Sequence, residues 1–373
     1  MVGVFSLPFM KHKILILLYI VLNVQLSWGQ IGGQLSGHVG YIIPNNRVFP
    51  EINGPSHMIR GSVLQHTRNS SLRWARYYNT PILGFNLSYE NFGTKDALGQ
   101  AVSLIPSLSF YLVNKSKFNL RIQSGLGMAY LTHPFDKIRN PENTVNGSHL
   151  NFAALTSLVM SFELGAGLFL ESGPSLTHYS NGNYAKPNVG SNLPDWSVGV
   201  RYVLKKETED VSTEPLAAYS RRYHPFFRLG VGVTEKSLDG PKYPILEGTI
   251  GINRQFGVVN RVNTGFSMLY DDRAYRFQEH LGLNEDKRFR MSTRYVWFLG
   301  HEFLFGHVGF LTEGGFYLNK FEGKSSFLSA KLGFNFYINN TLQKTSFLPY
   351  LGIYIHSSFG EAEFIELATG WMF

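Results

Sequence analysis

A histidine and a serine lie two residues apart at the end of a predicted strand, as His178 and Ser180. A serine hydroxyl is a weak nucleophile until a base within hydrogen-bond reach takes its proton, and an oriented imidazole is the usual base. Residues at positions i and i+2 share one strand face, so the two side chains can meet if the strand end bends. The pair predicts a serine hydrolase, although a surface histidine beside a serine is more often only a hydrogen-bonded pair.

The imidazole of such a pair needs a third group that fixes its tautomer. Asn192 has the same facing as His178 if the chain returns as an antiparallel strand, and it is the first candidate. Asp195 has the opposite parity and ranks second. Asn181 and the backbone N–H of Gly182 are the candidates for stabilising an oxyanion.

The residues before and after this pair alternate with a period of two, which predicts strands with one apolar and one polar face. The apolar face of the first strand carries Leu168, Leu170, Pro174 and Leu176, and the polar face carries Glu171, Ser175, Thr177 and Tyr179. A loop rich in Asn, Gly and Pro follows, and the alternation resumes from Trp196 to Leu204. We therefore expect a hairpin that presents His178 and Ser180 at its tip, on the apolar face.

The composition of the whole chain is that of a transmembrane β-barrel. Aromatic residues make up 15% of the chain and there are 38 glycines, yet no later apolar run approaches the ~20 residues of a membrane helix. The absence of cysteine suits a bacterial envelope protein that uses no disulfides. The net charge of +8 fits a solvated surface and would also favour contact with phosphorylated lipid headgroups. A secreted β-sandwich is the competing interpretation.

The pattern divides the chain into two halves with eight strand candidates each, which favours two tandem eight-stranded barrels over one wider barrel. A polar, charged stretch after residue 204 has the composition of a linker. The first residues combine lysines, a short apolar run and Ser27-Trp28-Gly29, which favours a cleaved signal over a membrane anchor. The predicted domains are a signal peptide (1–29), a first barrel (30–205), a linker (206–222) and a second barrel-like repeat (223–373).

In the second half, His356 and Ser358 occupy the places of His178 and Ser180. Their parity differs, because the apolar face there includes Leu351 and not the histidine. We therefore expect His356 and Ser358 to face the lumen and to have a structural role.

The lengths of the connections between strands predict where His178 and Ser180 lie relative to the membrane. Outer-membrane barrels have short turns on the periplasmic side and longer loops outside. Residues 114–117 and 164–166 are short connections, whereas 134–147 and 181–194 are long. His178 and Ser180 are therefore predicted near the external interface, on the lipid-facing side.

Other motifs are weaker, and we predict no metal, no cofactor and no nucleic-acid partner. His301-Glu302 and His307 have the wrong spacing for a zinc helix. Gly323-Lys324-Ser325 lacks the first glycine of a P-loop. The acidic residues Glu361, Glu363 and Glu366 are interpreted as hydrogen-bonding groups, with orientation of His356 as a remote alternative.

Two short motifs, His178-Tyr179-Ser180-Asn181 and Pro187-Asn188-Val189-Gly190, resemble the signature of the PagL-type lipid A 3-O-deacylases, or acyloxyacyl hydrolases. The resemblance covers roughly residues 35–205, and the second half resembles the C-terminal extension of the longer members. It implies an eight-stranded outer-membrane barrel that releases an ester-linked acyl chain from lipid A without a metal.

The resemblance also implies roles for single residues: His178 as the base, Ser180 as the nucleophile and Asn181 in the oxyanion hole. One departure matters, because Asn192 stands where the family has its orienting glutamate. An amide can orient an imidazole but stabilises the imidazolium less than a carboxylate does.

Two functional hypotheses follow from the sequence. The first is an outer-membrane serine esterase whose substrate is lipid A, the membrane anchor of lipopolysaccharide, in the outer leaflet. The second is a non-catalytic outer-membrane barrel with a structural or transport role.

Overall fold

Two closed antiparallel β-barrels of eight strands each form the protein in the computed structural model. The structure describes residues 30–68, 70, 72–94, 96–204, 222–319, 327–341, 347–358 and 361–373. Each strand pairs with its neighbours in the sequence, and the first strand of each barrel closes against the last. The prediction of two tandem eight-stranded barrels is confirmed, and the single wider barrel is excluded.

The first barrel consists of β1 (Gln30–Gly40), β2 (Ser56–His66), β3 (Ile82–Asn91), β4 (Gln100–Asn114), β5 (Phe118–Leu131), β6 (Leu150–Gly165), β7 (Leu168–Ser180) and β8 (Ser191–Val203). The second consists of β9 (Tyr223–Glu235), β10 (Lys242–Phe256), β11 (Asn260–Asp271), β12 (Thr293–Phe305), β13 (Val308–Tyr317), β14 (Leu328–Tyr337), β15 (Leu348–Ser358) and β16 (Glu361–Met372). We call the end that carries the β7–β8 and β9–β10 loops the outer end.

Three predictions fall outside the described residues: the signal peptide (1–29), most of the linker (206–221) and the Gly323-Lys324-Ser325 loop. Among the described residues, the helices are all too short or too polar to cross a membrane.

The side chains of the first barrel are distributed inside out. Residues that point outward are large, apolar and exposed, as with Leu35, Ile59 and Val198. Tyrosines such as Tyr89 and Tyr130 lie on the same surface near the outer strand ends, like the aromatic girdle of membrane barrels. This arrangement buries polar groups in the lumen and offers apolar ones to the surroundings, as a lipid bilayer requires.

Ion pairs fill the lumen of the first barrel. Glu171 Oε1 accepts hydrogen bonds from Arg121 at 2.6 Å, from Arg201 at 2.6 Å and from Ser161 at 2.7 Å. All these side chains are buried. An eight-stranded barrel has room inside only for side chains, and here the charged pairs share the interior with a buried apolar cluster that includes Ile105, Leu155 and Leu193.

The lumen of the second barrel follows the same rule. Lys331 Nζ lies 2.7 Å from Glu247 Oε1 and 3.0 Å from Glu366 Oε2. His356 Nε2 lies 2.5 Å from the same Glu366 oxygen. His356 and Ser358 are therefore luminal, as their parity predicts, and the remote alternative that Glu366 contacts His356 is what the structure shows.

The strand predictions were wrong in one outer loop. The sequence pattern extends strands over 261–275 and 288–305, but β11 ends at Asp271 and β12 begins at Thr293. Between them lie helix α1 (Asp272–His280), a 3-10 turn and helix α2 (Arg288–Met291). The Asp271 carboxylate caps α1 by accepting from the N–H groups of Arg273 and Ala274, and this competes with continuing the strand.

The two barrels also contact each other at the inner end. The β2–β3 connection there is long and contains a 3-10 helix (Arg73–Tyr78). Trp74 packs edge-to-face on Phe305 with ring centroids 5.4 Å apart, and Tyr78 stacks on Phe305 at 4.8 Å. The Tyr78 hydroxyl donates to the Val259 carbonyl at 3.0 Å. The barrels are therefore neighbours with their axes pointing the same way.

We expect Glu171→Ala to destabilise the first barrel by about 3–5 kcal/mol, because it leaves two buried guanidinium groups without their carboxylate. Glu163→Ala is the matched control, since Glu163 is an exposed residue on the adjacent strand β6. Urea unfolding in detergent, followed by heat-modifiable gel mobility, measures both. Equal unfolding midpoints for the two variants would contradict a stabilising role for the ion pairs of Glu171 with Arg121 and Arg201.

Candidate active site

The outer end of β7 carries His178 and Ser180 on its outward face. Along this strand the odd-numbered residues from Glu171 to Tyr179 are buried in the lumen, while Leu176 on the other face is 42% exposed. Tyr179, between the two candidates, points inward and donates to Glu90 at 2.7 Å. His178 and Ser180 are half-buried by the neighbouring loop, on the face that the apolar belt occupies.

Asn192 meets His178 across the hairpin. The two residues are register partners on β7 and β8, and His178 Nδ1 lies 2.8 Å from Asn192 Oδ1. An amide oxygen only accepts hydrogen bonds, so this contact requires the proton on Nδ1, and in the neutral ring Nε2 then keeps its lone pair. This is the tautomer that a general base requires.

Asp195, the second candidate for orienting His178, does not contact it. Its side chain lies in the lumen, where the carboxylate oxygen is 2.7 Å from His38 Nδ1 and accepts from Ser175 at 2.6 Å. The other His38 nitrogen lies 2.9 Å from the Ser36 hydroxyl. Serine, histidine and aspartate thus meet inside the barrel, but all are buried, so this group contributes to luminal packing.

Ser180 bonds to the loop and not to His178 among the described residues. Its hydroxyl donates to Asn188 Oδ1 at 3.2 Å. The same amide oxygen accepts from the backbone N–H of Asn181 at 2.9 Å. Asn188 therefore fixes both the nucleophile candidate and the loop that follows it. The sequence motif included Asn188, but no role had been predicted for it.

The two oxyanion candidates differ in their availability. The side-chain amide of Asn181 donates to Ala185 O and to Ser148 Oγ, both at 2.9 Å, so it builds the loop. The N–H of Gly182 lies 3.3 Å from Ser180 Oγ. Gly182 therefore presents the backbone donor nearest to the Ser180 hydroxyl, beside which the carbonyl oxygen of a bound ester would become the oxyanion, and the Asn181 side chain points elsewhere.

Gly190 packs closely against the imidazole of His178. A Cβ added at this residue would lie 2.7 Å from His178 Cε1 and 3.4 Å from Nε2, and its φ of +81° favours glycine. Asn45, whose amide donates to the carbonyls of Val189 and Gly190, holds this backbone in place. The position of Gly190 in the Pro-Asn-Val-Gly motif was the available signal, whereas Asn45 lies too far away in the sequence to be found.

A second loop packs against the first from the side of β5 and β6. The Val189 N–H donates to the Val145 carbonyl at 3.1 Å, and the buried Asn146 amide donates to Ser191 Oγ at 2.9 Å. Within this second loop, the Asn143 side chain accepts from the N–H groups of Val145 and Asn146. The long loop 134–147 therefore shapes the candidate site as well as connecting two strands.

One group of side chains elsewhere has the donors of a metal site. Glu247, His356 and Glu366 in the second lumen place their ligand atoms within 4.8 Å of one another. The Lys331 ammonium already bridges the two carboxylates, so a further cation would meet a fixed positive charge. The residues of the His301-Glu302 motif point to opposite sides of β12. Glu302 is luminal and accepts from Arg261, while His301 faces outward.

Comparison with known families identifies both halves. The family described as lipid A 3-O-deacylase (PagL) matches residues 63–201, and the acyloxyacyl hydrolase C-terminal domain matches residues 221–373. The first half of the chain therefore belongs to the PagL family, and its second half matches the acyloxyacyl hydrolase C-terminal domain.

The solved structures that this chain resembles have low sequence identity to it and low TM-scores. The outer membrane enzyme PagL is 18% identical over 44% of this chain and 97% of its own, with a TM-score of 0.31. Neisserial surface protein A is 12% identical over 46% of this chain and 96% of its own, also with a TM-score of 0.31. The Pseudomonas putida toluene transporter TodX is 9% identical over 92% and 89% of the two chains, with a TM-score of 0.18. These likenesses carry no weight for function. A search of curated proteins gave no match.

We expect Gly190→Ala to push the imidazole of His178 away from Asn192, because the added carbon collides with the ring. In a crystal structure of the variant, the Nδ1–Oδ1 distance should exceed the hydrogen-bond limit of about 3.5 Å. Gly257→Ala is the control, since it has a φ of +65° with nothing within 4 Å of the added carbon. An unchanged His178 in Gly190→Ala would show that this glycine does not position the ring.

Proposed function

We propose that this protein is an outer-membrane serine esterase that removes an ester-linked acyl chain from lipid A. The observation that carries the proposal is the placement of His178 and Ser180 on the lipid-facing side of a barrel, with the imidazole oriented by Asn192. Membership of the PagL family supports lipid A as the substrate and the outer membrane as the location. A site on that surface meets the ester bonds of a lipid without removing it from the leaflet.

The reaction begins with a rotation of the Ser180 side chain. Its hydroxyl leaves Asn188 Oδ1 and turns toward Nε2 of His178, which takes the proton as Oγ attacks the ester carbonyl. The N–H of Gly182 donates to the oxyanion of the tetrahedral intermediate. The protonated imidazole then gives its proton to the departing lipid alkoxide, which leaves the fatty acyl group on Ser180.

Water completes the cycle through the same groups. His178 takes a proton from the water as its oxygen attacks the acyl carbonyl, and the proton returns to Ser180 Oγ as the fatty acid leaves. Asn192 holds Nδ1–H throughout but brings no negative charge to the imidazolium. We infer that hydrolysis is slower with an amide at residue 192 than it would be with a carboxylate, and that the reaction class is the same.

A transport role has little physical support. The lumens of both barrels contain ion pairs such as Glu171 with Arg201, and Arg228 with Glu313 at 3.0 Å. Buried pairs of this kind are costly to separate, so neither lumen offers a path for a solute. The non-catalytic alternative is therefore a structural barrel.

We expect Ser180→Ala to abolish release of fatty acid from purified lipopolysaccharide, because the variant has no nucleophile. Mass spectrometry of the lipid A after incubation with wild-type and variant protein measures the loss of one acyl chain. Thr177→Ala is a control, since Thr177 is a buried hydroxyl on the luminal face of the same strand. Identical lipid A spectra for wild type and Ser180→Ala would exclude the esterase.

Asn192→Glu should accelerate the reaction. A carboxylate at this register position would stabilise the imidazolium that forms when His178 takes the serine proton, and we expect about a tenfold or larger gain in kcat. The initial rate of fatty acid release by wild type and variant gives the ratio. A rate that falls, with folding intact by gel mobility, would mean that Asn192 is not in the orienting position.

A further inference from the structure

We propose that the second barrel completes the active site of the first, with Glu235 as a positioning residue for the β7–β8 loop. This inference rests on the proposed function of that site. Glu235 ends β9 at the outer end and is 4% exposed. The loop it contacts, residues 181–190, carries Asn188 and Gly182, the two partners of Ser180.

Bonds from the second barrel fix the middle of this loop. The Glu235 N–H donates to the Asn183 carbonyl at 2.9 Å, and Glu235 Oε2 accepts from the Lys186 N–H at 3.2 Å. The Asn183 side-chain amide donates to the carbonyl of Ala362, on β16. The loop is therefore bonded to two adjacent strands of the other barrel, through its backbone to β9 and through the Asn183 side chain to β16.

Lys242, at the start of β10, adds a third attachment. Its ammonium donates to the Tyr184 carbonyl at 2.6 Å and lies 4.2 Å from the centre of the Tyr184 ring. The same ammonium lies 3.0 Å from Glu235 Oε2, and the other Glu235 oxygen accepts from the Gly240 N–H at 2.7 Å. Glu235 thus joins its own loop and the loop of the first barrel through one buried carboxylate.

These attachments lead directly to Ser180. The Asn181 side chain spans the loop, because it donates to Ala185 O at 2.9 Å while its own N–H bonds to Asn188. A shift of residues 183–186 therefore moves Asn188 and the backbone at Gly182 together. Ile365 of β16 approaches Gly182 so closely that a Cβ there would lie 2.5 Å from its Cδ1. The backbone donor nearest Ser180 is in contact with the second barrel.

The decisive variant is Glu235→Ala in the full-length chain. Hydrogen exchange of peptides that cover 181–190 should become at least about tenfold faster, because the loop loses its buried acceptor. The kcat for fatty acid release should fall about 10–100-fold with a smaller change in KM, since misplacement of a catalytic group affects the transition state most. Glu235→Gln keeps one acceptor oxygen and should recover part of both effects.

Asp239→Ala is the matched control. Asp239 also links the two barrels, through Lys137 at 3.3 Å, but both side chains are 57% exposed, and exposed pairs contribute little. We expect wild-type exchange and wild-type kcat for this variant. If Glu235→Ala unfolds the second barrel, Lys242→Met is the substitute, because the Lys242 side chain is 39% exposed and its bonds to the described residues go to Tyr184 and Glu235.

The outcomes separate the inference from the function on which it rests. If wild type is active, Ser180→Ala is inactive, and Glu235→Ala and Lys242→Met match wild type in exchange and kcat, the positioning role is wrong and the esterase stands. If wild type releases no fatty acid, the function fails and with it the role of Glu235 in catalysis. Faster exchange at 181–190 together with a lower kcat, absent in Asp239→Ala, supports the proposal.

Discussion

Closure of each sheet on itself is the constraint on which the rest of the structure depends. A closed antiparallel ladder pairs every strand edge, and each side chain then points either into a narrow lumen or away from the barrel. A position two residues further along keeps the same face, and a shift by one exchanges lumen for lipid. The chemistry available to any residue in this protein is therefore decided first by its parity.

The two histidine–serine pairs show this effect within one chain. His178 points outward at the end of β7 and bonds to the neutral Asn192. His356 points inward on β15, where Glu366, Glu247 and Lys331 surround it. The residue types and their spacing are the same, but only the first pair is placed where a lipid could reach it. Short motifs in barrels therefore have to be judged together with their register.

The face of the barrel on which a side chain lies could be predicted from the sequence, because the alternation of apolar and polar residues along a strand is a local property. The period-two pattern predicts the outward position of His178, the luminal position of His356 and the number of strands. The helices after Asp271 were not predicted because the alternating pattern continues weakly into them. The partners Asn45 and Glu235 could not be found, because each reaches the site through a loop or from another barrel.

In the proposed mechanism, the amide at residue 192 is a compromise between two electrostatic demands. A carboxylate beside His178 would stabilise the imidazolium of that mechanism, but in the resting state it would be a charge next to a neutral ring at the edge of an apolar surface. Glu366 avoids this cost beside His356 because Lys331 supplies a positive charge in the lumen. The hydrogen bonds that the described structure gives to the Asn192 side chain include no such cation. A neutral amide thus holds the His178 ring without a buried charge, and gives up part of the stabilisation that the proposed reaction could use.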